Sequence, residues 1–429
     1  MNDTLKYCVE ALQKADVDKF KCIMTQSNKH EMNLQGTDFS LIRTTANNSL
    51  QITVIKDDRR GVISLNHLEP TAIDEAIQTV VEMAKTSNPD PDYDISPAQE
   101  PQRFQTGPEE ADTERMYQLL KEYSQQVPQL FPQIKLMETT FEFTRSVEQL
   151  INSNGVDFVT TQGVYTLSSS FASQDGEKTS SFNYTGFALR DLERNLLDCA
   201  SLKLLLQQSV EHLDARPLSG KFVGDVIITP ECLGDIIYYY VATYLSDSAL
   251  IADTSLLKDK LGEKVASEKL TLSSQPVSPE MAMGYFVTRD GFPAENVTVI
   301  DQGVLKSFLL SLYGANKTKR ERAKNSGGCW VIEPGDKSLE EMIQSVQRGV
   351  LVARYSGGNP SANGDFSGVA KNSYYVENGK IMYPITETMI SGNLLDIFKN
   401  IQNISAERVD SGYGQLPYLH TSGVTISGK

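Results

Sequence analysis

Histidine, cysteine and long apolar runs are all scarce in this 429-residue chain, and each scarcity removes a class of function. Four histidines leave little from which to build an imidazole-held metal centre. The five cysteines (Cys8, Cys22, Cys199, Cys232, Cys329) are scattered, odd in number and never spaced as CxxC. Neither a disulfide framework nor a zinc knuckle is expected, and a reducing cytoplasm is the natural setting. Apolar runs such as residues 236–243 fall well short of the ~20 residues that a membrane-spanning helix needs. The polar start MNDTLKYCVEALQKAD reads as a helix without a signal peptide. There is no GxSxG elbow, no GxxxxGKS/T loop and no GxGxxG after a strand, so nucleophilic-serine and nucleotide-dependent chemistry lack support.

A formal charge of −15 would repel a polyanion at long range. The one concentrated basic run, Lys317, Lys319, Arg320, Arg322 and Lys324, has no interleaved aromatics. It reads as a solvated helix face or loop, the other reading being a nucleic-acid footprint. His30-Glu31 begins like a zincin motif, but Leu34 occupies the place of the second histidine. His67 and His420 read as surface or turn residues, and His212 as a helix-end cation. Cys329, in GGCW, reads as a buried small hydrophobe rather than a reactive thiol.

The length calls for two domains or more. Residues 1–215 form an α+β unit: an amphipathic helix over 1–15, strands FKCIMT, FSLIRTT, LQITVIK and GVISL, and a helix opening at Thr71. Five prolines among acidic residues make 88–110 a crossing segment without regular structure. A helix over 112–126, hairpin-joined strands and a long helix over 192–212 follow. Residues 216–429 are strand-rich, with turns at Asp290-Gly291 and within NVTVIDQGVLKSFLL, after the strand FVGDVIIT and a helix from Pro230. Thr229 is a natural N-cap for that helix, Pro230 is favoured at its first position, and Glu231 suits its dipole.

Residues 356–401 carry the most specific pattern. Asn363-Gly364 and Asn378-Gly379 read as type I′ turns, SYYV and KIMYPI as the hairpin they join, and Asn393 onward as a helix reaching Ile401. With its Gly-rich turn, GDFS step, ENGKIMYPI hairpin and SGNLLDIFKNI helix, the segment resembles the C-terminal signature of the TldD/PmbA family. The resemblance implies an α+β fold: an N-terminal sandwich-like α/β domain, then a C-terminal domain on a curved antiparallel sheet with helices.

Metal-bearing members of that family carry HExxxH on the first helix of the C-terminal half, and a cysteine ligand near the C-terminus. Here Pro230 and Asp235 stand at the two histidine positions, with Glu231 at the glutamate. Ser411, Gly412 and Tyr413 stand where the cysteine would be. The resemblance therefore implies the TldE/PmbA-like branch: a metal-free subunit beside a zinc-bearing TldD-like partner, with no cofactor or catalytic residue of its own. Glu231 and Asp235, four apart, are also a hard-cation pair, although two carboxylates are few for Mg²⁺ or Ca²⁺.

Tyr238, Tyr239, Tyr240 and Tyr244 suit a helix packed on a sheet, a subunit interface or a channel wall. Tyr239, Gly357, Gly358, Asn359 and Asp365 are the candidates for contact with peptide or partner, because glycine turns beside an open sheet edge admit an extended chain. The partners implied are a TldD-like subunit, a second copy of the chain and a peptide, without membrane or nucleic acid. A metal-independent homodimeric scaffold for unfolded peptide and a DNA gyrase-associated regulator are the alternatives.

Overall fold

The computed structural model describes residues 3–429. In the first part, helices α1 (Asp3–Lys14), α2 (Pro70–Thr86), α3 (Thr113–Leu130) and α4 (Leu202–Glu211) accompany one sheet. Its strands are β1 (Lys19–Gln35), β2 (Asp38–Lys56), β3 (Arg59–Leu65), β4 (Gln102–Thr106), β5 (Ile134–Asn152), β6 (Asp157–Asp175), β7 (Lys178–Thr179) and β8 (Asn183–Leu189). Their order is β3-β2-β1-β5-β6-β4, with β7 and β8 also paired to β6.

Side-chain alternation explains the layering. Even-numbered residues of β1 (Cys22, Met24, Met32, Leu34) join apolar clusters with α1 and α2 at one end and α3 and α4 at the other. Odd-numbered Ile23 joins Leu150 and Phe158 on the opposite face, against Val287 of the second half. The helices thus cover one face, and the other is free to meet the rest of the chain.

The second half contains β9 (Arg216–Pro217), β10 (Lys221–Ile228), β11 (Leu272–Ser274), β12 (Val297–Asp301), β13 (Val304–Leu305), β14 (Trp330–Ile332) and β15 (Arg348–Val352). It continues with β16 (Arg354–Gly357), β17 (Asp365–Lys371), β18 (Ser373–Glu377), β19 (Lys380–Thr386), β20 (Met389–Asn393), β21 (Ile401–Asp410) and β22 (Gln415–Ser427). Helices α5 (Pro230–Tyr244), α6 (Asp247–Ile251), α7 (Leu312–Thr318), α8 (Leu339–Gln344) and α9 (Leu394–Lys399) intervene. The main path is β13-β12-β11-β14-β22-β10-β15-β18-β19-β9. Most pairs are antiparallel, while β10–β15, β14–β22 and β19–β9 are parallel. Tyr240, Tyr244 and Phe398 anchor α5 and α9 in the largest core cluster. The α+β class is as expected, and no helix of the described residues is long and apolar enough to cross a membrane.

Several local expectations are corrected. The 88–110 segment is not wholly irregular: Gln102–Thr106 is β4, running parallel to β6. The helix expected over 192–212 is broken by Ala200 at φ 46°, leaving a short 3-10 turn at Leu196–Asp198 before α4. Asn378 and Gly379 both have positive φ, as a type I′ turn requires, but of Asn363-Gly364 only Gly364 does. Helix α9 ends at Lys399, and Ile401 begins β21 instead. His420 is not at the surface; it is buried in β22, with Asp225 3.6 Å away. His212 is likewise buried, its ring nitrogens 2.7 Å from the Gln208 carbonyl and 3.1 Å from that of Ser373.

The basic run is solvent-facing as expected, with Lys317, Lys319 and Lys324 exposed, but it is also ion-paired. Lys317 and Lys319 reach Asp90 and Asp92 of the proline-rich segment, at 2.9 and 2.8 Å. Arg322 faces Asp290 at 3.6 Å, and Lys324 reaches Glu295 at 2.8 Å. Tyr93 stacks on Tyr313 with ring centroids 4.9 Å apart, so the acidic strap docks on α7 through rings as well as charges. Cys329 is buried with Met281 and Val331, which accords with core packing.

Candidate functional site

Helix α5 follows directly from the buried end of β10, and proline at its first position fixes φ where no intrahelical N–H bond is lost. Thr229 precedes it in extended conformation, but its hydroxyl donates to the Ala353 carbonyl at 3.3 Å instead of capping the helix. That bond ties the helix start to the segment joining β15 and β16. Cys232, Leu233, Ile236, Ile237 and Tyr240 point into the core. Pro230, Glu231, Gly234 and Asp235 are left to line a cavity of about 280 Å³.

The opposite wall comes from far away in sequence. Tyr184, Thr185 and Gly186 of β8 contribute, with Trp330, Arg354, Ser411, Tyr413 and Leu416. Residues from the 230–235 and 411–413 stretches, far apart in sequence, therefore meet at one cavity. The 411–414 loop is fixed there because the Ala188 N–H donates to the Ser411 carbonyl at 2.9 Å. Gly412, at φ 73°, lies so close that a Cβ would sit 2.1 Å from the Ala188 carbonyl oxygen.

Arg354 is held by neutral groups. Its Nε donates to Asn183 Oδ1 at 2.8 Å, its Nη2 donates to the Tyr184 carbonyl, and its guanidinium lies 3.8 Å from the centroid of the Tyr184 ring. Partial burial pushes the Asp235 carboxyl up, and the nearby Arg354 charge opposes that shift. Burial pushes the Cys232 thiol up to about 12, which leaves it inert as a nucleophile.

The donor set does not fit zinc. The cavity offers two carboxylates and no imidazole or thiolate, and the Ser411 hydroxyl is turned to the Gly414 carbonyl at 3.3 Å. No group of three or more histidine, cysteine, aspartate or glutamate side chains among the described residues could hold a metal ion.

The remaining candidates gather elsewhere. Tyr238 and Tyr239 form a second cavity, of about 290 Å³, with Asn359, Pro360 and Ser361. Glu231, Asp235, Tyr238 and Ala242 follow one another along the same stripe of α5, so the two cavities share a helix face. Gly357 closes edge strand β16, whose one strand neighbour is β17, and a Cβ there would meet the Tyr355 hydroxyl at 2.3 Å. Gly358 is exposed with open space around it. Asp365 is a turn organiser: it accepts from Asn363 and Asn393, both at 2.9 Å, and these bonds hold its carboxyl below the usual range.

Residues 219–428 match the PmbA/TldA metallopeptidase C-terminal domain. The second half of the chain is thus a PmbA/TldD-family C-terminal domain. It is 27% identical over 403 residues to metalloprotease PmbA of Escherichia coli O157:H7, covering 89% of this chain and 87% of that one. A zinc metalloprotease TldD homolog of Saccharolobus solfataricus is 28% identical over 234 residues, covering 50% of this chain and 52% of its own. TldE from Thermococcus kodakarensis shares the fold, with a TM-score of 0.84 at 21% identity over 99% of this chain and 100% of its own. So does a Bacteroides thetaiotaomicron protein named as a candidate modulator of DNA gyrase, with a TM-score of 0.88 at 21% identity over 100% of this chain and 98% of its own.

Tyr184, Gly186, Trp330 and Arg354 were not among the sequence candidates. Trp330 carried a signal as the only tryptophan in the chain, next to Cys329. Arg354 offered another, as an isolated charge closing the apolar run of β15.

Proposed function

We propose that this chain is the metal-free, peptide-binding subunit of a TldD/TldE-type cytoplasmic peptidase, acting in proteolysis and peptide maturation. Hydrolysis would be supplied by a zinc-bearing TldD-like partner. The observation that carries the reading is the cavity at the start of α5: the degenerate motif and the 411–413 loop still converge on it, but its donors are Glu231 and Asp235 alone. A cavity without a metal's donor set retains one use, which is to hold a ligand.

In this reading residues 1–215 and 216–429 act as two domains, with the cavity at their junction. Peptide would lie against β8 rather than at Gly357 and Gly358, because the β8 edge faces the cavity directly. Tyr238, exposed at 66%, together with Tyr239 and Asn359, suits contact with the partner subunit. The ion pairs of Lys317, Lys319 and Arg322 leave the gyrase-regulator alternative without a free basic stripe.

Zinc content and peptidase activity of the purified chain test the proposal, alone and mixed with an HExxxH-bearing relative. The chain alone should hold no stoichiometric zinc, show no chelator-sensitive cleavage, and form a stable complex with the relative. Stoichiometric zinc with turnover by the isolated chain would refute it.

A further inference from the structure

We infer that the cavity between α5 and β8 takes a lysine or arginine side chain of a peptide whose backbone lies extended along β8. The inference rests on the peptide-binding reading and adds the charge of the residue selected.

The strand edge supplies the backbone site. Strand β8 pairs with β6 on one side only. On its other side the Ala188 N–H donates to Ser411 and the Tyr184 carbonyl accepts from Arg354. Outward-pointing groups in an antiparallel strand recur every second residue, so those of β8 belong to residues 184, 186 and 188. Gly186 lies between two filled positions, lines the cavity, and has no partner among the described residues for its outward N–H and C=O. That gap matches the N–H and C=O of one residue in an extended chain, the main-chain recognition used when a peptide adds to a sheet edge.

The charges in the cavity set its preference. Neither the Glu231 nor the Asp235 carboxylate has a hydrogen-bond or ion-pair partner among the described residues. Arg354, the cation in the lining, is committed to Asn183, the Tyr184 carbonyl and the Tyr184 ring. Two carboxylates against one guanidinium leave the cavity net negative, and its unpaired groups are both carboxylates, so a cationic side chain is favoured over an anionic one. Trp330, Tyr413 and Leu416 supply the apolar wall along which the aliphatic stem of a lysine or arginine packs while its head reaches the carboxylates.

Trp330 makes the test direct, since the only tryptophan in the chain stands in the cavity wall and its fluorescence reports occupancy. The full chain is titrated with capped heptapeptides identical except for a central lysine, norleucine or glutamate, and binding is confirmed by calorimetry. The lysine peptide should bind at least about tenfold more tightly than the norleucine peptide, as expected of a charge-assisted contact, and the glutamate peptide most weakly. High salt should shrink the advantage of lysine, and E231Q/D235N should abolish it while the norleucine peptide binds as before. Equal affinity for all three peptides overturns the inference and leaves the peptide-binding reading intact; absence of binding by every peptide overturns both. Should E231Q/D235N fail to fold, the peptide series and its salt dependence decide alone.

Discussion

The guanidinium of Arg354 lies 3.8 Å from the ring centroid of Tyr184, so one contact joins edge strand β16 of the second sheet to β8 of the first. Both residues line the same cavity, and the contact therefore fixes its shape as well as the joint between the sheets. Replacing Arg354 by alanine removes the stacking and leaves Asn183 Oδ1 without its donor. We expect R354A to lose about 1–3 kcal/mol of stability by urea denaturation. Lysine keeps the charge but not the planar fork, and R354K should recover only part of the loss.

Gly412 allows the cavity loop to lie directly on β8. At φ 73°, with the Ala188 carbonyl oxygen 2.1 Å from any Cβ, G412A meets both backbone strain and a clash. The variant should lose roughly 2 kcal/mol or more. Trp330 emission should shift in the native state, because the loop can no longer seat against the wall that Trp330 shares. Unchanged emission and stability would show that the loop is not held by this contact.

His212 predicts a loss of stability on acidification. Burial depresses its folded-state pKa below the ordinary imidazole value. The unfolded chain therefore binds the proton more readily, and the stabilisation is full above the unfolded pKa of about 6.5. It is lost as pH falls from there through the folded value. The melting temperature should drop between pH 7.5 and pH 5.5, and the drop should be smaller in H212Q.

Asp90 predicts a second acid-sensitive contact at lower pH. The hydrogen bond from Lys317, with a further one from Tyr313, holds its carboxyl below the usual range. Its contribution is present above the unfolded carboxyl pKa of about 3.9 and is lost as pH falls through the folded value. D90N/D92N should release the strap from α7, seen as faster amide exchange over residues 88–99 at neutral pH. High salt should have a weaker effect in the same direction.

The local elements were legible wherever neighbouring residues determine them. Asn378-Gly379 forms its hairpin turn because both residues tolerate positive φ, and Pro230 begins its helix because no N–H is needed there. Register was not legible: FSLIRTT and LQITVIK are one strand, β2, because continuous pairing with β1 carries the backbone through the polar stretch between them. His420 read as a surface or turn residue, and the burial of His212 at its helix end was equally hidden, because a polar residue in a short window gives no sign that other elements will cover it. The ion pairs of the basic run were not legible because its acidic partners Asp90 and Asp92 lie more than two hundred residues upstream.

The sequence by itself determined the family signature and the α+β class, and it set Pro230, Glu231 and Asp235 at the start of one helix, since these depend on residue identity and short spacing. Only the tertiary structure decided that Tyr184, Trp330, Arg354 and Ser411 meet those positions at one cavity, and that Gly186 leaves its strand edge open there. Such contacts depend on how the β8 edge packs against the second sheet, a sum of many weak apolar and hydrogen-bonded contacts that no local stretch of sequence encodes.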